Sequence, residues 1–552
     1  MRTSRSALAP ILALALGPAL APARARAADF CPALPPATGD VVVVGNVTQL
    51  RAAVDAAVPG RTILVADGTY ALDGSFLRLD VPNVTLRGQS GLRDAVVLDG
   101  NYLTTEIVQV AASGVTIADL TLREAWDHPI HVMPTETSAT LATLIYNVRV
   151  VDPGQQAIKI NPLSDTGPYV DGGTIACSRL ELTDAGRPHV RDNCYTGGVD
   201  AHAAVGWTVR DNVIEGFWCD AGLSEHAIHF WRNARDTRVE RNVLRNNARA
   251  IGFGLLESGT PRRTYADAPC PSAGGAYVDH YGGTAENNFV SADDPDLFAS
   301  EYGFDCGVCL WQACGASALH NTVHTADAAS SFSAIEWRFS RTVATVANNL
   351  TNLTLRARDG ATATQTTNVT TATDAFYVSA ATGDLHLQPS ATGAIDQGTA
   401  SSVTTDVDGD SRPRGAAPDV GADETVAPRA LSFQSLAPCR VVDTRSASLG
   451  GPAPLAAGVS RPFQVAGACS VPAGVTVVSA NVTVTQATAA GDVVVHAYGT
   501  PVPITPQVSF AAGRTRANNA ILALDGNGAV SARAGMASGT VHLIIDVNGT
   551  FD

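Results

Sequence analysis

From Val41 to Leu387 the chain repeats one short phrase, an Asn or Asp set one place before a β-branched or aliphatic residue. Copies stand at Asp119-Leu120-Thr121-Leu122, Asn147-Val148-Arg149-Val150, Asn212-Val213-Ile214, Asn242-Val243-Leu244, Asn288-Phe289-Val290, Asn321-Thr322-Val323 and Asn349-Leu350-Thr351. Successive copies lie roughly thirty residues apart, a period of solenoids, in which each coil buries its inner face only against its neighbours. Amides at matching places in successive coils predict a stacked corner, each bonding to the next. A sandwich also supplies alternating strands, but it does not require an Asn at the same corner of every repeat. Low aromatic content (6%), with abundant Gly, Thr and Val, points the same way, to an all-β fold.

Val47-Thr48-Gln49-Leu50-Arg51-Ala52-Ala53-Val54, then Pro59-Gly60-Arg61-Thr62-Ile63-Leu64-Val65 and Asp67-Gly68-Thr69-Tyr70, read as a helix leading into a first coil. With these motifs the chain resembles the right-handed parallel β-helix proteins, the architecture of pectate lyases, chondroitinase B and alginate lyases. The likeness spans about residues 40 to 424. It includes the closing runs Gly383-Asp384-Leu385-His386-Leu387, Ala394-Ile395-Asp396-Gln397-Gly398 and Asp406-Val407-Asp408-Gly409-Asp410-Ser411-Arg412-Pro413. It implies a fold and leaves activity open.

Arg2 and Arg5, the apolar run Leu8 to Leu20 and a small-residue end at Ala28 predict a cleaved export signal over 1–28. No other apolar run is long enough to span a bilayer. An exported protein, extracellular, periplasmic or on the cell surface, permits disulfides, and ten cysteines fit that address. The net charge is −15, and loss of Arg2, Arg5, Arg24 and Arg26 with the leader makes it more negative still. That field repels nucleic acid, so an acidic ligand needs a local Arg cluster or a bridging cation.

The β-helix domain is read as 29–424 and a linker as 425–430. A smaller β-rich, sandwich-like module follows over 431–552, with at least six strand-like runs and turns such as Asp525-Gly526-Asn527-Gly528. It resembles a C-terminal module found on varied exported bacterial proteins. Cys439 and Cys469 are its only cysteines, so a bridge between them is the simplest pairing. The protein is expected to act as a single chain.

The strand after each Asn corner alternates apolar and chemically capable residues. Val199-Asp200-Ala201-His202 and Ile228-His229-Phe230-Trp231 show this most clearly, and period two sends the two sets to opposite faces. Aligning the coils predicts Ile158, Val199, Ile228, Ile251 and Ile335 inward. His131, Lys159, Asp200, His229 and Glu336 form one outward column, with Asn161, His202, Trp231, Trp311 and Arg338 beside it. Gly252 and Gly254 predict a bare rung where a ligand approaches the backbone.

Lys159 is the only lysine in a chain that otherwise uses Arg, and only an amine can lose its proton near neutral pH. Resemblance to β-helix lyases implies a base that takes the C5 proton of a uronic acid, with Ca²⁺ or Arg neutralising the carboxylate. Lys159, Asp200 and His229 are therefore the candidate catalytic residues; an ion pair of Lys159 with Asp200 on a structural rung is the competing reading.

His202, His226 and His229 with Asp200 and Glu225 fit acid/base work, a zinc site or a structural hydrogen-bond network. On a strand, however, His226 and His229 would point to opposite faces, so no metal ligand is assigned. Trp231 and Trp311 suit stacking on a pyranose or packing under a covering segment such as 257–281, whose Pro261-Arg262-Arg263 would lay positive charge over the groove. Arg232, Arg235, Arg238 and Arg241 read as a solvated, paired face, with Arg232 kept as a candidate contact. Cys306, Cys309 and Cys314, with Cys177, Cys194, Cys219 and Cys270, are read as forming disulfides that hold loops against the coils, their pairing left open, and Asp406 to Asp410 as a polar turn in place of a calcium loop.

The candidate substrate-binding set is then His131, Asn161, His202, Glu225, His226, Trp231, Arg232, Trp311, Glu336 and Arg338. The expected function is an exported carbohydrate-active protein meeting a polysaccharide or cell-surface glycan, most simply a lyase of a uronate polymer. A glycoside hydrolase and a noncatalytic glycan-binding protein are the alternatives.

Overall fold

A computed structural model describes residues 31–425 and 432–551; the leader at 1–28 and, Thr425 apart, the linker at 425–430 lie outside the described residues. The chain divides into two compact units near residue 428. The first is a right-handed parallel β-helix, built of one 14-stranded and two 10-stranded parallel sheets. Its first coil is closed by a helix, α1 (Val47–Asp55), whose N-cap Asn46 accepts a bond from the Gln49 N–H and whose Leu50, Ala53 and Val54 are buried. No described helix is long and apolar enough to cross a membrane.

The sheet that carries the outward column runs through Glu106–Val110, His128–Val132, Gln156–Ile160, Gly197–His202, Ile228–Trp231, Arg249–Phe253, Phe304–Trp311 and Ser331–Arg338. Its register stacks Ile130, Ile158, Val199, Ile228, Ile251, Val308 and Ile335, all fully buried. Each such side chain contributes about 1.5–3 kcal/mol of burial free energy. The inward stack therefore has the predicted register.

At the corner into the third sheet an amide ladder runs Asn212–Asn242–Asn288–Asn321–Asn349–Asn368. Each side-chain N–H donates to the next Oδ1 at 2.9–3.0 Å, and each Oδ1 also takes a backbone N–H of the preceding Asn. Asp119 and Asn147, expected in the same ladder, stand one place earlier, as the pairing of Arg149 with Arg179 and of Arg179 with Val213 requires. They take left-handed backbone (φ 56° and 50°), which Asn and Asp tolerate better than other side chains. Asn147 Nδ2 donates to Asp119 Oδ1 at 2.7 Å. The corner thus uses Asn for two different physical reasons.

The second unit is a sandwich of two antiparallel sheets. Val477–Thr485 alternates buried and half-buried residues, and Val478, Val482, Val495, Val530, Leu543 and Ile545 fill the core between the sheets. Its two cysteines, Cys439 and Cys469, are bridged. Disulfides also join Cys31–Cys177, Cys194–Cys219, Cys270–Cys314 and Cys306–Cys309, and five bridges fit an oxidising compartment.

Candidate functional site

Adjacent rungs set His131 beside Lys159, Lys159 beside Asp200, Asp200 beside His229, and His202 beside Trp231. Side chains on neighbouring rungs, about 4.8 Å apart, touch. Lys159 Nζ pairs with Asp200 Oδ2 and donates to the Tyr195 hydroxyl at 3.0 Å; that hydroxyl donates to Asp200 Oδ2 at 3.2 Å. Trp231 Nε1 donates to Asp200 Oδ1 at 2.7 Å. Burial pushes the Asp200 acid up, but the Lys159 ammonium and His202 outweigh it and hold the group well below the ordinary carboxylate value. Burial likewise lowers Lys159, yet Asp200 and Tyr195 win and raise it. Lys159 is therefore a held cation in this arrangement, and the charge state needed of a base is disfavoured.

His202 is placed differently. Two cations that can only donate flank its ring, Arg262 Nη1 at 3.2 Å from Nδ1 and Lys159 Nζ at 3.3 Å from Nε2, and a neutral imidazole accepts from only one of them. Asp200 Oδ2, 3.4 Å from Nε2, favours the tautomer with Nε2–H toward the carboxylate and the Nδ1 lone pair toward Arg262. Burial lowers the His202 pKa against the pull of Asp200, which keeps the ring neutral. Asp200 orients it, and Nδ1 holds a lone pair beneath an arginine.

That arginine belongs to the covering segment. The segment is pinned by the Cys270–Cys314 bridge, by Arg262 N–H to Asn233 Oδ1 (2.7 Å) and by Arg263 to Asp171 (2.7 and 2.9 Å). The two expected sugar platforms are themselves buried. Trp231 is 6% exposed, stacked on His229 and edge-on to His202. Trp311 is 3% exposed, between His226 and the Arg249 and Arg338 guanidiniums. Both rings pack within the wall, so neither offers a free face to a sugar. Trp126, which sequence periodicity did not single out, is 45% exposed, with the Arg191 guanidinium 4.3 Å from its ring centroid. Arg191 and Tyr195 share one loop, which flanks both Trp126 and the Lys159–Asp200 pair.

His131 sits one rung upstream, Nδ1 2.5 Å from Glu106 Oε1 and Nε2 2.7 Å from Asn161 Oδ1. Burial would raise the Glu106 acid, but His131 brings it below its ordinary value. Glu336 and Arg338 belong to the same sheet but not to the same cluster. Glu336 is four rungs from Asp200, roughly 19 Å at the parallel-strand spacing, and bonds Arg358 at 3.1 Å. Glycosidase carboxyl pairs stand about 5–10 Å apart. Asp200 and Glu336 do not form one. Arg232 packs over the Trp231 ring at 4.6 Å, while Arg235, Arg238 and Arg241 pair with Asp267, Glu286 and Asp211.

The expected bare rung is filled. A Cβ on Gly252 would lie 2.5–2.6 Å from atoms of the His226 ring, and one on Gly254 would meet the Trp311 carbonyl. His226 precedes the strand Ile228–Trp231, so strand alternation does not govern it. Its ring comes to 4.4 Å from that of His229, which overturns the expectation of opposite faces. Glu225 Oε2 lies 2.9 Å from His229 Nδ1, close as an ion pair but without hydrogen-bond geometry. Burial first, then His229 and Arg249, hold His226 well below the ordinary imidazole value.

Ca²⁺ takes roughly six to eight oxygen ligands. This face offers His-rich donors, and both Asp200 oxygens are already bonded, so it does not fit Ca²⁺. The Asp406 loop is a polar turn, its Oδ1 taking the Asp408 and Asp410 N–H groups at 2.9 and 2.7 Å.

No family model and no curated protein sequence matches the chain. Among solved structures it is similar to pectate lyase Pel9A (14% identity, 71% of this chain and 97% of that one, TM-score 0.48). It is also similar to an alginate lyase from Paenibacillus sp. str. FPU-7 (15%, 58% and 98%, 0.33). A third is the tailspike gp49 of Acinetobacter baumannii bacteriophage Fri1, a capsular polysaccharide depolymerase (10%, 94% and 86%, 0.29). The likeness lies in the course of the backbone.

Proposed function

We propose that the protein is an exported polysaccharide lyase that cleaves a uronate-containing polymer by proton abstraction and β-elimination, with His202 as the base in place of Lys159. One observation carries this reading. His202 is neutral and sits between an ionised Asp200, 3.4 Å from its Nε2, and Arg262, 3.2 Å from its Nδ1.

Arg262 is anchored by its backbone N–H to Asn233, and its guanidinium, held through Nε by Asp165 at 3.1 Å, turns its Nη1 from His202 to pair with a substrate carboxylate. That pairing acidifies C5–H and uncovers His202 Nδ1. The C5 proton goes to Nδ1, its electron pair forms the C4–C5 double bond, and the C4–O bond breaks. The Tyr195 hydroxyl, held protonated by burial and by Asp200, supplies a proton to the departing oxygen. Lys159 keeps Asp200 ionised, so its role is to position charge. Trp126 offers the exposed aromatic face for a neighbouring sugar.

The test is incubation of the secreted protein with glucuronate, galacturonate, mannuronate and guluronate polymers. Absorbance of the unsaturated uronate is read alongside new reducing ends. Both signals rising together support elimination. Reducing ends without the unsaturated product would make the protein a hydrolase, and binding with neither signal would make it a glycan-binding protein.

A further inference from the structure

Glu225, His226, whose ring fills the space over Gly252, and His229 have an unusual property. His226 and His229 are fully buried, and none of their four ring nitrogens has a hydrogen-bond partner; Glu225 Oε2 is also buried without one. A buried polar group without a partner costs about 1–3 kcal/mol, so three such side chains converging on one point require an explanation. One potential ligand atom from each lies within 4.8 Å of the others.

The backbone is shaped to allow this convergence. Gly252 has ordinary φ, so its lack of a side chain is explained by close approach, since the His226 ring occupies the place of a Cβ. A Cβ on Gly197 would likewise strike the His226 carbonyl at 2.7 Å and approach the Glu225 side chain at 3.3 Å. The segment before Ile228 is therefore seated by glycines from both flanking coils. Arg249, the cation that packs over Trp311, is bonded through Nε to Asp305 at 2.7 Å, which limits its repulsion of a second cation.

We propose that Glu225, His226 and His229 form a site for a divalent transition-metal ion of the zinc class. Two imidazoles and one carboxyl are the donor set that zinc accepts, with further positions for water or another ligand. A bound ion would satisfy in one step the orphaned ring nitrogens that face it and the Glu225 oxygen. It would also tie the segment carrying Glu225 and His226 to the strand carrying His229. In a second trio, His386, Asp408 and Asp423, the signature is weaker: His386 Nε2 is without a hydrogen-bond partner, but Nδ1 is bonded to Asp384 and Asp423 accepts the Leu387 N–H.

The proposal does not depend on the elimination chemistry, and its test reads metal, not turnover. The chelator-stripped full-length protein would be titrated with ZnCl₂ by calorimetry, then examined by X-ray absorption at the zinc edge. One zinc per chain is expected, with zinc–nitrogen distances of about 2.0–2.1 Å and a metal-dependent rise in Tm. Glu225→Gln and His226→Ala should each weaken binding by more than the ~10–100-fold that loss of an outer partner costs, with Glu225→Gln folded in the metal-free state by circular dichroism. Absence of stoichiometric zinc in the wild type would overturn the site. So would unchanged affinity in both variants, or an edge spectrum with oxygen donors only.

Discussion

Lys159 and Asp200 are cross-rung neighbours whose side chains form an ion pair inside the wall of the solenoid, sealed by Tyr195 and Trp231. The pair fixes both charges before any ligand arrives. Removing one partner leaves a buried charge uncompensated, which costs about 3–5 kcal/mol. Lys159→Met is expected to lower unfolding stability by that amount in a urea titration. Adding Asp200→Asn should restore part of the loss. Equal stability of Lys159→Met and wild type would mean that Asp200 is not held as an anion.

Asn288 lies mid-ladder, bonded to Asn242 on one side and Asn321 on the other. Asn288→Ala orphans the Asn242 backbone N–H, takes one of three acceptors from the Asn242 side-chain amide and leaves the Asn321 oxygen with the residue-288 backbone N–H alone, a loss expected at about 2–3 kcal/mol. Asn147→Ala, at the left-handed corner position, should cost only about 1–2 kcal/mol. Denaturant midpoints of the two variants compare the two uses of Asn directly.

The inward stack and the outward column follow from period two, and the repeat of Asn corners supplies the coil length; both were legible before the fold was known. What escaped lies where periodicity does not reach. Tyr195 sits in a loop before its strand, and His226 leaves the alternation two residues before Ile228, so its direction is set by the glycine beneath it. Trp231 and Trp311 have the outward register of sugar platforms, but the His and Arg side chains around them close over both rings. The sign of the Lys159 shift needed a measure of how fully Asp200 is enclosed, which a register supplies only in part.

His386, in the closing part of the solenoid, has Nδ1 2.5 Å from Asp384 Oδ1 and Nε2 3.0 Å from Asp408 Oδ2. Burial lowers it, but Asp408, Asp423 and Asp384 win and push it up to about 9. A raised histidine contributes stability that is fully present below its unfolded value, about 6.5, and is lost as pH rises through 9. The contribution is at most about 3 kcal/mol. Tm should therefore fall between pH 6.5 and 9 in wild type, and that part of the fall should vanish in His386→Gln.

Trp126 is the exposed aromatic beside the loop that carries Tyr195. Trp126→Ala is expected to raise KM for polymer several-fold, in line with about 1 kcal/mol of stacking, and to leave kcat nearly unchanged. A fall in kcat at constant KM would place Trp126 at the reacting sugar instead.

The central claim is that the proton leaves the sugar for His202. The most direct measurement is the initial rate of unsaturated-uronate absorbance for wild type and His202→Gln on the same polymer. Glutamine keeps polarity but cannot act as the base, so kcat should fall on the order of 10²-fold or more while polymer binding persists. A His202→Gln enzyme that forms the unsaturated product at the wild-type rate would contradict the account.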